Sequence, residues 1–168
     1  MNQQITLRPF TREDAPRMAE LANNASISQN MRNAFPHPYT RENALEFIGM
    51  ANSMDPVTIF AIEADGTYVG NIGLHKAEDV YRKSAEIGYF IGEPFWNQGI
   101  ASAAVKQMVE FGFETLNLKR IHAGIFDYNQ ASARVLEKCG FEKEGIARMA
   151  VFKGDQFYDE LRYAIIKA

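Results

Sequence analysis

The chain has 168 residues, 46% of them hydrophobic and 23% charged, a size and balance that suit one buried core. Lys and Arg number 18 against 21 Asp and Glu, a net charge of −3. That balance excludes a basic nucleic-acid-binding surface and tilts weakly towards cationic partners such as amines.

In chain order, residues 5–10 (ITLRPF) read as a strand, and Thr11 with Asp14 as the N-cap and first turn of a helix through Asn23. Residues 25–39, interrupted by Pro36 and Pro38, read as a short helix and a loop. Thr40 caps a second helix, in which Ala44, Leu45, Phe47, Ile48 and Ala51 keep a helical period. Residues 57–63 form a strand that ends at an Asp65-Gly66 hairpin turn, followed by strands over 67–76 and 83–91. In the last of these, Glu86, Gly88 and Phe90 share one face, and Ala85, Ile87, Tyr89 and Ile91 the other.

A long helix is expected over 97–115, with Ala101, Val105, Met108 and Gly112 as its buried stripe. Residues 119–126 read as a strand and 130–138 as a helix closed by Gly140, with strands over 141–153 and 156–166 around a Gly154-Asp155 turn. This order predicts an α/β (α+β) domain, with a mixed, mostly antiparallel sheet of about seven strands and helices on both faces.

No apolar run approaches the ~20 residues that cross a bilayer, and 1–10 has no signal-peptide core. The single Cys139 leaves no internal disulfide, and His37, His75 and His122 lack the spacing of zinc ligands. The expectation is a metal-free, cytoplasmic protein with one domain over 1–168.

The most informative stretch, Gly92-Glu93-Pro94-Phe95-Trp96-Asn97-Gln98-Gly99-Ile100-Ala101, joins a strand to a helix. First-turn amides carry the positive end of a helix dipole, and the small residues that follow let an anion come close to the backbone. The stretch is neither a Walker loop nor a GxGxxG fingerprint.

Two blocks carry a family likeness. Trp96 to Ala101 occupies the place of a Gln/Arg-x-x-Gly-x-Gly/Ala signature, departing from it at Trp96. Asn129-Gln130-Ala131-Ser132, with Glu137-Lys138-Cys139-Gly140-Phe141 and Glu144-Gly145, matches a second. Further echoes are 35–40 (FPHPYT) and Gly154 with Tyr158-Asp159. Together they resemble the GNAT superfamily of acetyltransferases, in the branch like the RimJ/RimL ribosomal-protein N-terminal acetyltransferases.

The resemblance implies a sheet whose two central strands splay apart to hold acetyl-CoA as co-substrate. Pantetheine would lie along the backbone of Tyr89, Phe90 and Ile91. The pyrophosphate would sit at the loop and helix start formed by Asn97, Gln98, Gly99, Ile100, Ala101 and Ser102. Asn129 would bond the pantetheine arm from the other side. Ser132 is the hydroxyl implied to serve the leaving sulfur, because Leu136 stands where many members carry a tyrosine. The tetrahedral oxyanion would meet a backbone N–H near Phe90.

Transfer to an amine needs a neutral nitrogen and so a base, for which Glu86 is the candidate. The other reading of Glu86 is an ion pair with a neighbouring Arg or Lys. Ser132 has a second reading as a local helix cap, and Cys139 reads as a buried residue at a helix end. The acceptor is a primary amine, either a protein or peptide N-terminus or a small molecule such as a polyamine, amino acid or aminoglycoside. Residues 26–39 would either supply one wall of its groove or, the preferred reading for Phe35, anchor a loop onto the sheet through their aromatics, and Glu13, Glu42 or Asp159 would attract it. A catalytically silent acyl-CoA binder and an adenine-nucleotide binder are the rival classes. The assembly is a monomer or a homodimer paired through open sheet edges, with no nucleic-acid or membrane partner.

Overall fold

A computed structural model describes residues 3–168. The first two residues of the expected 1–168 domain, Met1 and Asn2, lie outside the described residues. Strands β1 (Ile5–Arg8), β2 (Ile59–Ala64), β3 (Thr67–Lys76), β4 (Ser84–Ile91), β5 (Arg120–Phe126), β6 (Glu142–Lys153) and β7 (Gln156–Ile166) form one sheet in the order β1-β2-β3-β4-β5-β7-β6. The helices are α1 (Ala15–Ala22), α2 (Ala25–Ser28), α3 (Arg41–Asn52), α4 (Ile100–Glu114) and α5 (Gln130–Lys138). β4 and β5 run parallel; β1/β2, β2/β3, β5/β7 and β6/β7 run antiparallel. The α/β class and the mixed, mostly antiparallel sheet are as the sequence implies. Among the described residues, no helix is long and apolar enough to cross a membrane.

The chain divides into two compact units. One takes in the described residues up to Gly73 together with Tyr89–Ala104, the other Leu74–Gly88 and Val105–Ala168.

In the first unit, Met18, Leu21, Ala44, Ile48 and Ala51 form a buried cluster with Phe10, Ile59, Ala61 and Tyr68. Each fully buried Leu or Ile adds about 1.5–3 kcal/mol over leaving it in water. The chain entry to α1 is set by charge. Arg8 donates to both carboxylate oxygens of Asp14 at 2.8 Å and also to Glu63, while the Thr11 N–H donates to Asp14 at 2.8 Å. Thr40 and Asn43 cap α3 reciprocally, at 2.9 and 3.2 Å. Asp65 and Gly66 both take positive φ, 49° and 82°, the geometry that a tight two-residue hairpin requires.

In the second unit, the C-terminal half of α4 presses on the sheet through Gly112. A methyl group there would stand 2.8 Å from Ile121 and 2.9 Å from Leu74. α5 ends as expected at Gly140 (φ 89°): the Gly140 N–H donates to Glu137 at 3.1 Å and the Phe141 N–H to Leu136 at 3.0 Å. These two hydrogen bonds satisfy carbonyls of the last turn of the helix. The β6–β7 turn at Gly154-Asp155 again has two positive φ values, 59° and 60°.

One boundary needs correction. The helix expected from Asn97 starts at Ile100, because Asn97 and Gly99 take left-handed φ values of 61° and 77° that no right-handed helix admits.

Candidate functional site

The first unit carries the strand-to-helix loop. Tyr89 is half-buried, while Phe90 and Ile91 are buried. The Phe90 ring packs edge-on against Phe35 at 5.8 Å, so that side chain belongs to the core and only its backbone is left for a ligand. Gly70 lets the strands come this close, since a Cβ there would fall 2.1 Å from the Phe90 oxygen. The Gly92 N–H donates to Val69 at 2.8 Å, and a short 3-10 turn, Glu93–Phe95, follows.

Trp96 then folds back. Its indole N–H donates to the Ile91 carbonyl at 2.7 Å, so the aromatic residue that departs from the signature serves as the brace of the loop. That bond also occupies an acceptor on the stretch assigned to pantetheine. The Gln98 side chain donates to Pro94 at 3.2 Å, and Asn24 donates to Glu93 at 2.5 Å.

Asn97, Gln98 and Gly99 are exposed. Ile100 is 2% exposed and anchors the helix start, with Ala101 and Ser102 half-buried behind it. The Ala103 N–H closes the first helical bond to Gly99 at 3.1 Å. The amides of Ile100, Ala101 and Ser102 therefore form the first turn, at the positive end of the dipole.

The second unit carries the candidate base. In register, Ser84 stands opposite Arg120, Ala85 opposite Ile121 and Glu86 opposite His122. Ala85 and Ile121 are buried, so Glu86 and His122, both half-buried, share the other face side by side. The cation nearest in register, Arg120, is held by both oxygens of Glu144 at 2.6 and 2.5 Å. Glu86 thus has an imidazole, not a guanidinium, as its in-register neighbour. Burial pushes the His122 imidazole below its ordinary 6.5, against the opposing pull of the Glu86 carboxylate.

Gly88 and Gly124, both exposed, lie two residues beyond Glu86 and His122 on the same face. A side chain at Gly124 would meet the Glu160 carboxylate at 2.7 Å, so that group lies over the glycine.

Asn129 and Ser132 are brought together, but by a cap. The Asn129 side-chain oxygen accepts the Ser132 N–H at 3.3 Å at the start of α5. Leu136 is fully buried and offers no polar atom. Cys139, expected to be buried, is only half-buried at the C-cap of α5, just before Gly140. Asp159 is tied down by its neighbours: its carboxylate accepts the Met149 N–H at 2.8 Å and its own N–H donates to Asp127 at 3.3 Å.

Reading the sequence missed His122, set aside for lack of ligand spacing, and Glu160. The signal for His122 was its parity with Gly124 and Arg120 along β5; the partner across the gap was not written in any local pattern.

A family model described as "Acetyltransferase (GNAT) domain" matches residues 4–142. "Putative ribosomal N-acetyltransferase YdaF" of Bacillus subtilis (strain 168) is 32% identical over 99% of this chain and 93% of its own length, in line with the RimJ/RimL-like branch. "Uncharacterized N-acetyltransferase YoaA" of the same organism is 41% identical over 59% of the chain, which spans 55% of that relative. Among solved structures, a GNAT-family acetyltransferase from Bacillus anthracis superposes with a TM-score of 0.85 at 26% identity, over 99% of this chain and 96% of that one. A spermidine N-acetyltransferase from Vibrio cholerae, in complex with CoA and spermine, gives 0.81 at 25% identity, over 97% and 95%. With most of its length matched and its strand order and loop in place, the chain belongs to the GNAT family of acetyltransferases.

Proposed function

We propose that the chain acts as one domain over 1–168 and transfers an acetyl group from acetyl-CoA to a primary amine, by direct attack in a ternary complex. The observation that carries this reading is the loop into α4. Two left-handed residues, Asn97 and Gly99, turn the backbone so that a helix N-terminus opens at the exposed Gly99, followed by the half-buried Ala101 and Ser102. Such an end suits a pyrophosphate, and the family supplies the reason for one.

In this reading the backbone of Tyr89, Phe90 and Ile91 holds pantetheine, and residues 97–102 hold the phosphates. Asn129 steadies the pantetheine arm, Ser132 serves the departing sulfur, and Glu86 draws the proton from the acceptor. The transfer forms a C–N bond and breaks the thioester C–S bond; the thiolate is a tolerable leaving group that a serine hydroxyl assists. A single half-buried thiol fits a reducing cytoplasm.

The acceptor is a protein or peptide N-terminus, as the RimJ/RimL-like likeness favours. A small polyamine is the second reading, favoured by the carboxylates of Glu86 and Glu160 on one open face and by the spermidine acetyltransferase fold match. A silent acyl-CoA binder has in its favour only the buried Leu136.

The test is calorimetric titration with acetyl-CoA and with ADP, followed by an acetylation panel of N-terminal peptides, spermidine and spermine. One-site binding, tighter for acetyl-CoA than for ADP, with turnover on one amine class is the expected result. Equal affinity for the two ligands, or binding without turnover on any amine, overturns the transferase reading.

A further inference from the structure

The Glu86–His122 pair carries more than a candidate base. The two side chains are in-register neighbours on adjacent parallel strands, on the face where Gly88 follows Glu86 and the Glu160 carboxylate lies over Gly124. We propose that His122 is the proton store of the acetyl-transfer site, receiving through Glu86 the proton that leaves the acceptor ammonium. The proposal rests on the transferase reading and deepens it.

His122 touches no substrate atom in this scheme; it acts through Glu86. The acceptor ammonium gives one proton to the Glu86 carboxylate, which hands it to the neutral imidazole. The freed amine attacks the thioester carbonyl, the C–N bond forms and the C–S bond breaks. The second nitrogen proton goes to the leaving thiolate. The products are the amide, CoA thiol and an imidazolium facing a restored carboxylate, and the imidazolium then releases its proton to water.

The surroundings suit a store that is empty at neutral pH and fills on demand. Half-burial keeps the imidazole neutral, and Arg120, on the same strand, adds to that bias. Glu86 on β4, Glu144 on β6 and Glu160 on β7 pull the other way and stabilise the imidazolium once formed. Arg120 is itself engaged by Glu144, and Arg162, which stands opposite Gly124 on the neighbouring β7, is engaged by Glu160 at 3.2 Å. His75 on β3 lies 3.9 Å from where a Gly88 side chain would start. A carboxylate alone must release each proton directly to solvent; one backed by a neutral imidazole has an acceptor in place.

The experiment compares wild type, His122→Asn and His122→Gln by pH–rate profile, with the His122 ring resonances followed by NMR in wild type and in Glu86→Gln. The expected result is an acid limb in wild-type kcat below pH 6.5 that disappears in both His122 variants. Their plateau falls about tenfold or more, while the acetyl-CoA KM stays near wild type. The His122 midpoint should move further down in Glu86→Gln, because its attracting carboxylate is gone. Folded His122 variants that keep the limb and the turnover overturn the store while leaving the transferase reading intact, as does a His122 midpoint indifferent to Glu86→Gln. A wild type that turns over no amine overturns both.

Discussion

Glu86 and Asp14 show how far one carboxylate's role depends on its neighbour. With an imidazole beside it in register, Glu86 is proposed as the group that takes the proton from the acceptor. Glu86→Gln should lower kcat on the order of a hundredfold or more while leaving the acetyl-CoA dissociation constant near wild type, as steady-state kinetics and calorimetry would read. Asp14 is structural. Burial by itself would push its carboxyl up, but the Arg8 guanidinium and the Thr11 N–H hold it below its ordinary 3.8. A depressed carboxyl adds stability that is present above its unfolded value and is lost as pH falls through the folded one. Asp14→Asn should therefore cost about 2 kcal/mol at neutral pH and flatten the loss of stability below pH 4, measured by urea melts across pH. Residue types were legible in the sequence at both sites. Their partners were not, since Arg8 and His122 reach them through strand register and chain entry.

At the scale of elements, the two ends of α4 obey different rules. Its start is governed by backbone geometry, because Asn97 and Gly99 must be left-handed for the chain to leave Trp96 and enter the helix at Ile100. Gly99 has no atom within 4 Å of a built Cβ, so Gly99→Ala meets no clash and shows the conformational cost alone. It should lose about 1–2 kcal/mol of stability and weaken acetyl-CoA binding, read by thermal melts and calorimetry. Gly49, in the exposed interior of α3 with equal space, is the contrasting case: Gly49→Ala should stabilise by about 0.5–1 kcal/mol. The cap at Thr40, the Gly140 stop and both hairpin turns were readable because they are local, whereas the cap of α5 falls on Asn129 and not on Ser132. The three-residue error at the start of α4 came from treating Asn97-Gln98-Gly99 as helix formers, when the indole bond from Trp96 to Ile91 sets the loop.

For the molecule as a whole, the transferase reading requires that acetyl-CoA bind the folded state alone. At a ligand concentration about 100-fold above Kd, this linkage adds about 2.7 kcal/mol, which for a chain of this length raises Tm by roughly 5–10 °C. Scanning fluorimetry with ADP as the comparison ligand checks it, and equal shifts would point to nucleotide binding instead. β6 lies at the sheet edge with Ile146, Met149 and Phe152 exposed, the feature behind a homodimer reading that light scattering decides. The sequence alone determined the element order, the turns and caps, and the family, because each is written in periodicity, glycine placement or contiguous blocks. Tertiary structure decided which strands lie side by side, and with that the facing of Glu86 and His122. It also decided the Arg120–Glu144 lock and the use of Trp96 as a brace. The Glu86–His122 facing depends on strand register and the Arg120–Glu144 lock joins residues 24 apart, while the Trp96 brace is a fold-back onto Ile91; no local pattern encodes them.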